Sequence, residues 1–342
     1  MHHQPEAFLG ALAADAVAMP SHLYYDRAAL ARDYGTISGY AAPRNPHPDS
    51  ILYRSSYTPP NAKGEILHDQ AVYWGQRGIH YHQFLRPGEN TLNFQLARLL
   101  YKQITPTGRY DSAKWLRTYT EFMLTPQRHA DTYVEECHRG FFTNYANDKK
   151  PRECATKTPH IGGLASVPAL FDGLKLPVPA MREAVQEHVS LTHRDPDVLR
   201  AADDFLRVLN LIRAGKPPRT AILAGAPQWI SSTSIDRWLK EPDDIVIGER
   251  LSPTCNITDA FPASLYLAWK YADNFAAGIC VNAQVGGDSC HRGAVVGAIL
   301  GAAHGVPLRW SRGLRDSPIG TTPKLANVAA TRLLMSHPLV GE

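Results

Sequence analysis

A chain of 342 residues with 44% apolar and 20% charged residues carries enough apolar material for a sizeable core, and its formal charge of +4 is spread without a Lys/Arg block. That balance excludes a large field for nucleic acid or an anionic membrane and leaves room for a small anionic ligand. No apolar run reaches the roughly eighteen residues of a spanning helix, and the opening MHHQPEAFLGALAADAV has neither a basic start nor a convincing cleavage site, so a cytoplasmic protein is expected.

Apolar residues at mixed spacings of three and four predict helices over residues 5–19, 90–104, 111–124, 127–143, 180–193, 196–214, 258–270, 273–283 and 291–304, while strand signals are scarce. Asp111 with Ser112, Thr125 with Pro126, Asp195 with Pro196 and Thr258 with Asp259 read as N-terminal caps. Residues 35–68 and 144–163 are irregular and rich in polar chemistry, and residues 215–255 are mixed in character. With no linker-like composition and no internal repeat, the expectation is one all-α domain spanning residues 1–342, with long functional loops around one cleft. Cys137, Cys154, Cys255, Cys280 and Cys290 are odd in number and form no CxxC pair, which argues against a disulfide framework and a structural zinc knot.

Chemistry concentrates in GGDSCHRGAVVGAILGAAHG, residues 286–305, where Asp288, Cys290, His291 and Arg292 stand at the mouth of a helix of small residues. Four such side chains are costly to bury without partners. Arg292 is expected to pair with Asp288 four residues earlier.

Five blocks in order resemble the ADP-ribosylglycohydrolases: GALAADAVAMPSH at residues 10–22, PGENTLNFQLARLL at 87–100, HIGGLASVPAL at 160–170, HVSLTHRDPDVLRAA at 188–202, and DAFPASLYLAW followed by the glycine-rich block above. The resemblance implies an orthogonal helical bundle with an ADP-ribose cleft, two magnesium ions and hydrolysis of the bond between the distal ribose and an acceptor. Magnesium wants hard oxygen ligands, which the family gathers as aspartates, a threonine and a glutamate. Carried onto this chain, those positions become His22, Gly88, Glu89, Asn90, Cys290 and His291, and Asp288 alone is unchanged. The donors are too soft for the usual pair of magnesium ions. No cofactor is therefore expected, with Asp288 as the ligand should a metal bind. The implied substrate is a small molecule or an ADP-ribosylated group; the acceptor and the oligomeric state are left open.

Three readings of this mouth follow. In the first, Asp288 or Glu89 activates water while His22 or His291 protonates the leaving group, giving a glycosidic hydrolase. In the second, Cys290 and a histidine form a nucleophilic pair or bind a zinc-like ion. In the third, the chain is an inactive ADP-ribose binder or a structural relative, as the crystallin members of the superfamily are.

The resemblance places Gly162 and Gly163 against a diphosphate, where glycine lets backbone N–H groups approach an anion. It places Asp15, Asn90, Thr91 and His193 beside the cleft; His193 reads equally as a helix C-terminal cap. His68, Asp69, Tyr73, Trp74, His80, Tyr81 and His82 have no counterpart in the family pattern. They are expected to wall the acceptor side, with Trp74 or Tyr81 stacking on a ring, while Phe142 or Tyr145 supplies an adenine side.

Overall fold

The computed structural model describes residues 5–315. The helices in chain order are α1 (Glu6–Ala18), α2 (Arg27–Tyr34), α3 (Leu92–Ile104), α4 (Ser112–Leu124), α5 (Glu136–Ala146), α6 (Val167–Gly173), α7 (Val178–Ser190), α8 (Pro196–Arg213), α9 (Pro218–Gly225), α10 (Ser232–Trp238), the single turn α11 (Asp243–Ile245), α12 (Ile257–Lys270), α13 (Phe275–Gln284), α14 (Ser289–His304) and α15 (Leu308–Gly313). Among the described residues the β pairing consists of three isolated bridges, and the fold is all-α as expected. No helix among them is long and apolar enough to cross a membrane.

Helices α1 and α14 form the centre. Almost every residue of α1 and the first thirteen of α14 are buried, as expected for helices apolar on all sides. Small residues let the two backbones touch: a Cβ built on Gly10 would lie 2.0 Å from the Gly297 carbonyl oxygen, and one on Gly297 would lie 2.1 Å from that of Gly10. Helices α6, α8, α12 and α13 pack around this pair.

The same pair positions the site. After α1 a 3-10 turn, Met19–Ser21, delivers His22, and the Leu23 N–H donates to the Gly287 carbonyl at 2.7 Å. The Gly287 N–H returns a bond to Tyr24 at 2.6 Å. Gly286 and Gly287 have φ of +66° and +63°, the left-handed region that glycine enters without strain. This double glycine turn brings the end of α1 against the start of α14, and so His22 against Asp288.

Where the expected elements differ, a local reason is visible. The helix expected over residues 127–143 starts only at Glu136, because residues 131–133 are held by other partners: Asp131 by His82, and the Thr132 and Tyr133 N–H groups by the Tyr81 carbonyl. Thr125 ends α4 instead of opening a helix, its hydroxyl donating back to the Glu121 carbonyl at 2.7 Å. Asn256, not Thr258, caps α12. The polar helix α2, capped by Asp26, and the short α9 and α10 inside residues 215–255 had no strong apolar rhythm to announce them.

Candidate active site

Asp288 is the N-cap of α14, and its Oδ1 is the meeting point of two imidazoles: His22 Nε2 lies at 3.0 Å and His291 Nδ1 at 2.7 Å. All three side chains are buried. Burial alone would raise the pKa of Asp288, but His291 and then His22 hold the carboxyl well below its ordinary range. Burial likewise opposes charge on His291, and the carboxylates of Asp288 and Glu135 overcome it, pushing that imidazole up to about 10.

Two chains of contacts lead away from this corner. On one side His22 Nδ1 meets His82 Nε2 at 2.7 Å, His82 Nδ1 meets Asp131 Oδ1 at 2.5 Å, and Asp131 Oδ2 accepts the Leu92 N–H at 2.5 Å, at the first turn of α3. On the other side His291 Nδ1 lies 3.4 Å from Glu135 Oε1. Asn93 Nδ2 approaches both His291 Nε2, at 2.9 Å, and Glu135 Oε2, at 2.8 Å. Asn93 Oδ1 in turn meets His138 Nε2 at 2.7 Å, and His138 Nδ1 meets the Tyr119 hydroxyl at 2.7 Å.

Two cavities share Asn93 as a wall. The smaller, about 240 Å³ including the open solvent at its mouth, is lined by His22, His82, Thr91, Asn93, Tyr133, Glu135 and His291 among others. The larger, about 450 Å³ including its open mouth, lies among α3, α4, α7 and the turn Ile161–Leu164, and is walled by Trp115, Tyr119, His138, Gly162, Gly163, His188 and His193. His193 Nε2 has no hydrogen-bond partner, and its Nδ1 meets the Thr192 hydroxyl at 2.9 Å. Burial pushes His193 and His188 down to about 3, so both are neutral imidazoles. Gly162 and Gly163 are there for closeness: a Cβ on the first would sit 2.7 Å from Glu135 Oε2, and on the second 2.7 Å from Val198.

Several residues expected in the cleft are placed elsewhere. Glu89 pairs with Arg86, accepting its guanidinium at 2.6 Å and its backbone N–H at 2.8 Å, so its carboxylate is spent on its own turn. Cys290 is fully buried with its Sγ 3.7 Å from the Asp15 carbonyl, and burial pushes the thiol well above its ordinary value, the reverse of an activated nucleophile. Arg292 binds the Asn282 side chain and carbonyl and the Gly286 carbonyl, instead of pairing with Asp288. Asp288 itself lies behind His22 and His291 and does not line either cavity. Both nitrogens of His22 and both of His291 are engaged by protein groups, which leaves neither imidazole a nitrogen for a leaving group.

Asp15 accepts from the Asn90 amide at 2.8 Å, the Thr91 N–H at 2.9 Å and the Thr91 hydroxyl at 2.8 Å, so these three fasten α1 to the start of α3; of them, Thr91 reaches the smaller cavity. Trp74 stands behind the cavity wall, stacked on Tyr133 at 6.1 Å with its indole N–H donated to the Thr132 carbonyl. Tyr81 is buried with its hydroxyl accepting the Ile51 N–H at 2.9 Å, so its ring is not free to stack on a ligand. Phe142 is wholly buried against Tyr119 and Phe141 and is likewise closed to a base.

Asn93, Asp131, Glu135 and His138 were not singled out in the sequence. Asp131 and Glu135 lie in the stretch read as helix, although the β-branched and aromatic pieces of AspThrTyrValGlu are poor helix formers and signalled an extended segment. Three groupings bring metal-ligating atoms within 4.8 Å of one another: His22, Asp288 and His291; His22, His82 and Cys290; and Glu135, Cys137 and His138.

Comparison with known proteins agrees with this architecture. A family model described as ADP-ribosylglycohydrolase matches residues 6–339. A solved structure described as an ADP-ribosylglycohydrolase-related protein complex superposes with a TM-score of 0.54 at 18% identity, covering 92% of this chain and 94% of its own. No curated protein matches the chain. With nearly its whole length matched by the family model, the chain belongs to the ADP-ribosylglycohydrolase family.

Proposed function

We propose that this protein hydrolyses the glycosidic bond between a ribosyl sugar and its acceptor in an ADP-ribosylated or related substrate, without the magnesium pair usual in its family. The observation that carries this reading is Glu135, a carboxylate on the wall of the smaller cavity whose Oε1 faces His291 Nδ1 at 3.4 Å while Oε2 is held by Asn93. A carboxylate steered at one oxygen and loosely held at the other is a base that can activate water or face an oxocarbenium-like carbon. His291 keeps Glu135 ionised: burial alone would raise that carboxyl, and the neighbouring imidazole lowers it instead.

Asp288 acts through its neighbours. It sets the orientation of His22 and His291, which form the floor on which the sugar would rest. The larger cavity, with its aromatic wall and the unpartnered His193 Nε2, suits the remainder of a nucleotide, anchored by few polar contacts in a mostly apolar space.

The residues present do not fit a magnesium pair. Asp288 Oδ1 is covered by two imidazoles, Glu89 is turned away, and Asp15 serves Asn90 and Thr91, so these three acids form no oxygen cage. The test is a thermal-shift and turnover screen with ADP-ribose and with N- and O-ribosides. Binding with product release by the parent, and binding without release by Glu135→Gln, supports the reading. Binding by both with turnover by neither favours a non-catalytic binder.

A further inference from the structure

The corner formed by His22, Asp288 and His291 brings two imidazole nitrogens onto one carboxylate oxygen. From Asp131 through His82 and His22 to Asp288 there are three short gaps, 2.5, 2.7 and 3.0 Å, each of which needs a hydrogen or another cation in it. Ionised carboxylates bring none, and two neutral imidazoles bring two. His82 Nδ1–H fills the gap to Asp131, and His22 Nδ1–H fills the gap to His82, which leaves a bare nitrogen, His22 Nε2, facing a bare carboxylate oxygen. A second nitrogen, His291 Nδ1, converges on the same Asp288 oxygen, and Glu135 Oε1 stands just beyond it.

We infer that one divalent transition-metal ion of the zinc, cobalt or iron class binds between His22 Nε2, His291 Nδ1 and Asp288 Oδ1. These atoms lie within 4.8 Å of one another and are buried. Two imidazoles with one carboxylate suit borderline ions and disfavour magnesium or calcium, which is where this chain parts from its family. The outer partners are those that hold a ligand imidazole in one tautomer: the far nitrogen of His22 rests on His82, and His82 rests on Asp131, itself fixed by the Leu92 N–H.

Ligation through Nδ1 leaves His291 with its hydrogen on Nε2, so the Asn93 amide must present its oxygen there. The neighbours accept that turn, because His138 and the Tyr119 hydroxyl can reverse the sense of their hydrogen bonds together. Turning Asn93 releases Glu135 Oε2 from the amide N–H and lets that carboxylate approach the ion. The inference goes beyond the hydrolase reading and shares His291, Asn93 and Glu135 with it, so it is tested by metal binding alone, without turnover.

The experiment needs no substrate. The full chain is stripped with chelator and titrated with Co(II), followed by visible absorption, with metal content measured after dialysis and with Zn(II) and Mg(II) as competitors. The expected result is one cobalt per chain with ligand-field bands, displaced by zinc and not by millimolar magnesium, and abolished in His22→Gln and His291→Gln. Asp131→Asn, which leaves all three ligands in place, should weaken affinity by roughly 10 to 100-fold. Circular dichroism of each variant separates lost binding from lost fold; if both ligand variants unfold, the Asp131→Asn titration decides. Absence of stoichiometric cobalt in the folded parent chain, or cobalt binding that is indifferent to Asp131→Asn, overturns the inference.

Discussion

Asn93 Nδ2 lies 2.9 Å from His291 Nε2, and through that contact one side chain both partitions the two cavities and fixes a ring of the corner. Its oxygen is committed to His138 on the other side. Asn93→Leu keeps the approximate volume and removes every one of these bonds. Each buried group left unpaired costs about 1 to 3 kcal/mol, so the variant should melt well below the parent in a denaturant titration. Asn93→Ser, smaller but polar, should recover part of the loss if water bridges the gap; a loss equal to that of Asn93→Leu would show that packing, not hydrogen bonding, is what Asn93 supplies.

The two glutamates near the start of α3 and α5 should behave oppositely. Glu135→Gln removes the carboxylate on the cavity wall and should lower turnover by roughly 100-fold or more while leaving the fold intact. Glu89→Gln breaks a half-exposed pair with Arg86 and should change stability by no more than about 1 kcal/mol, with turnover unaltered. Equal losses in both variants would remove Glu135 from its assigned role.

How much of this was legible follows from where each residue sits. The small-residue blocks at residues 10–22 and 286–305 marked two helices, and their close packing through Gly10 and Gly297 is visible only in the structure. Helices with a strong two-sided rhythm, such as α8, were legible because burial is periodic in them. The corner was half legible. Asp288 and His291 were marked by unusual polarity in apolar surroundings and His22 by the family resemblance, whereas Glu135 and Asp131 are acids in a polar stretch and gain their meaning only when residues 81–82 fold against them. Glu89 misled because its position in the chain was right and its direction was not; Arg86, three residues earlier, captures it.

Cys290 offers a clean separation of the hydrolytic and covalent readings. Its thiol is buried and raised by desolvation, so native protein should leave it unlabelled by a thiol reagent that modifies it readily after unfolding. Cys290→Ala should keep turnover within a few-fold of the parent. Loss of all activity with an unchanged melting curve would restore the covalent reading.

The central pair predicts a steric penalty with a definite address. A methyl at Gly297 would be forced to within 2.1 Å of the Gly10 carbonyl oxygen and 2.7 Å of the Ala14 Cβ, and neither helix can yield without moving Asp15 and Asp288 at their shared end. Gly297→Ala should therefore destabilise by about 1 to 3 kcal/mol or more and lower expression of soluble protein. Gly35→Ala, with no atom within 4 Å of the new Cβ, is the contrasting case: its penalty comes only from the left-handed φ of +60°. Equal melting temperatures for Gly297→Ala and the parent would mean that α1 and α14 do not touch as described.

Acid should destabilise this protein earlier than its carboxylates alone would require. His188 and His193 have ordinary values near 6.5 when unfolded and are pushed down to about 3 by burial in the folded state, His188 with Nδ1 3.0 Å from the Tyr110 hydroxyl. Below the unfolded value the unfolded chain binds protons that the folded chain refuses, so this contribution is complete above about pH 6.5 and is lost as pH falls toward 3. Once well below 6.5, each such histidine lowers stability by roughly 1.4 kcal/mol per pH unit. His188→Gln keeps an acceptor for Tyr110 but cannot titrate. Its unfolding free energy, measured by denaturant at intervals from pH 8 to pH 4, should start below that of the parent and fall less steeply. Parallel curves for parent and variant across that range would show that His188 takes up its proton at the same pH folded and unfolded, and would contradict a dry, neutral wall for the larger cavity.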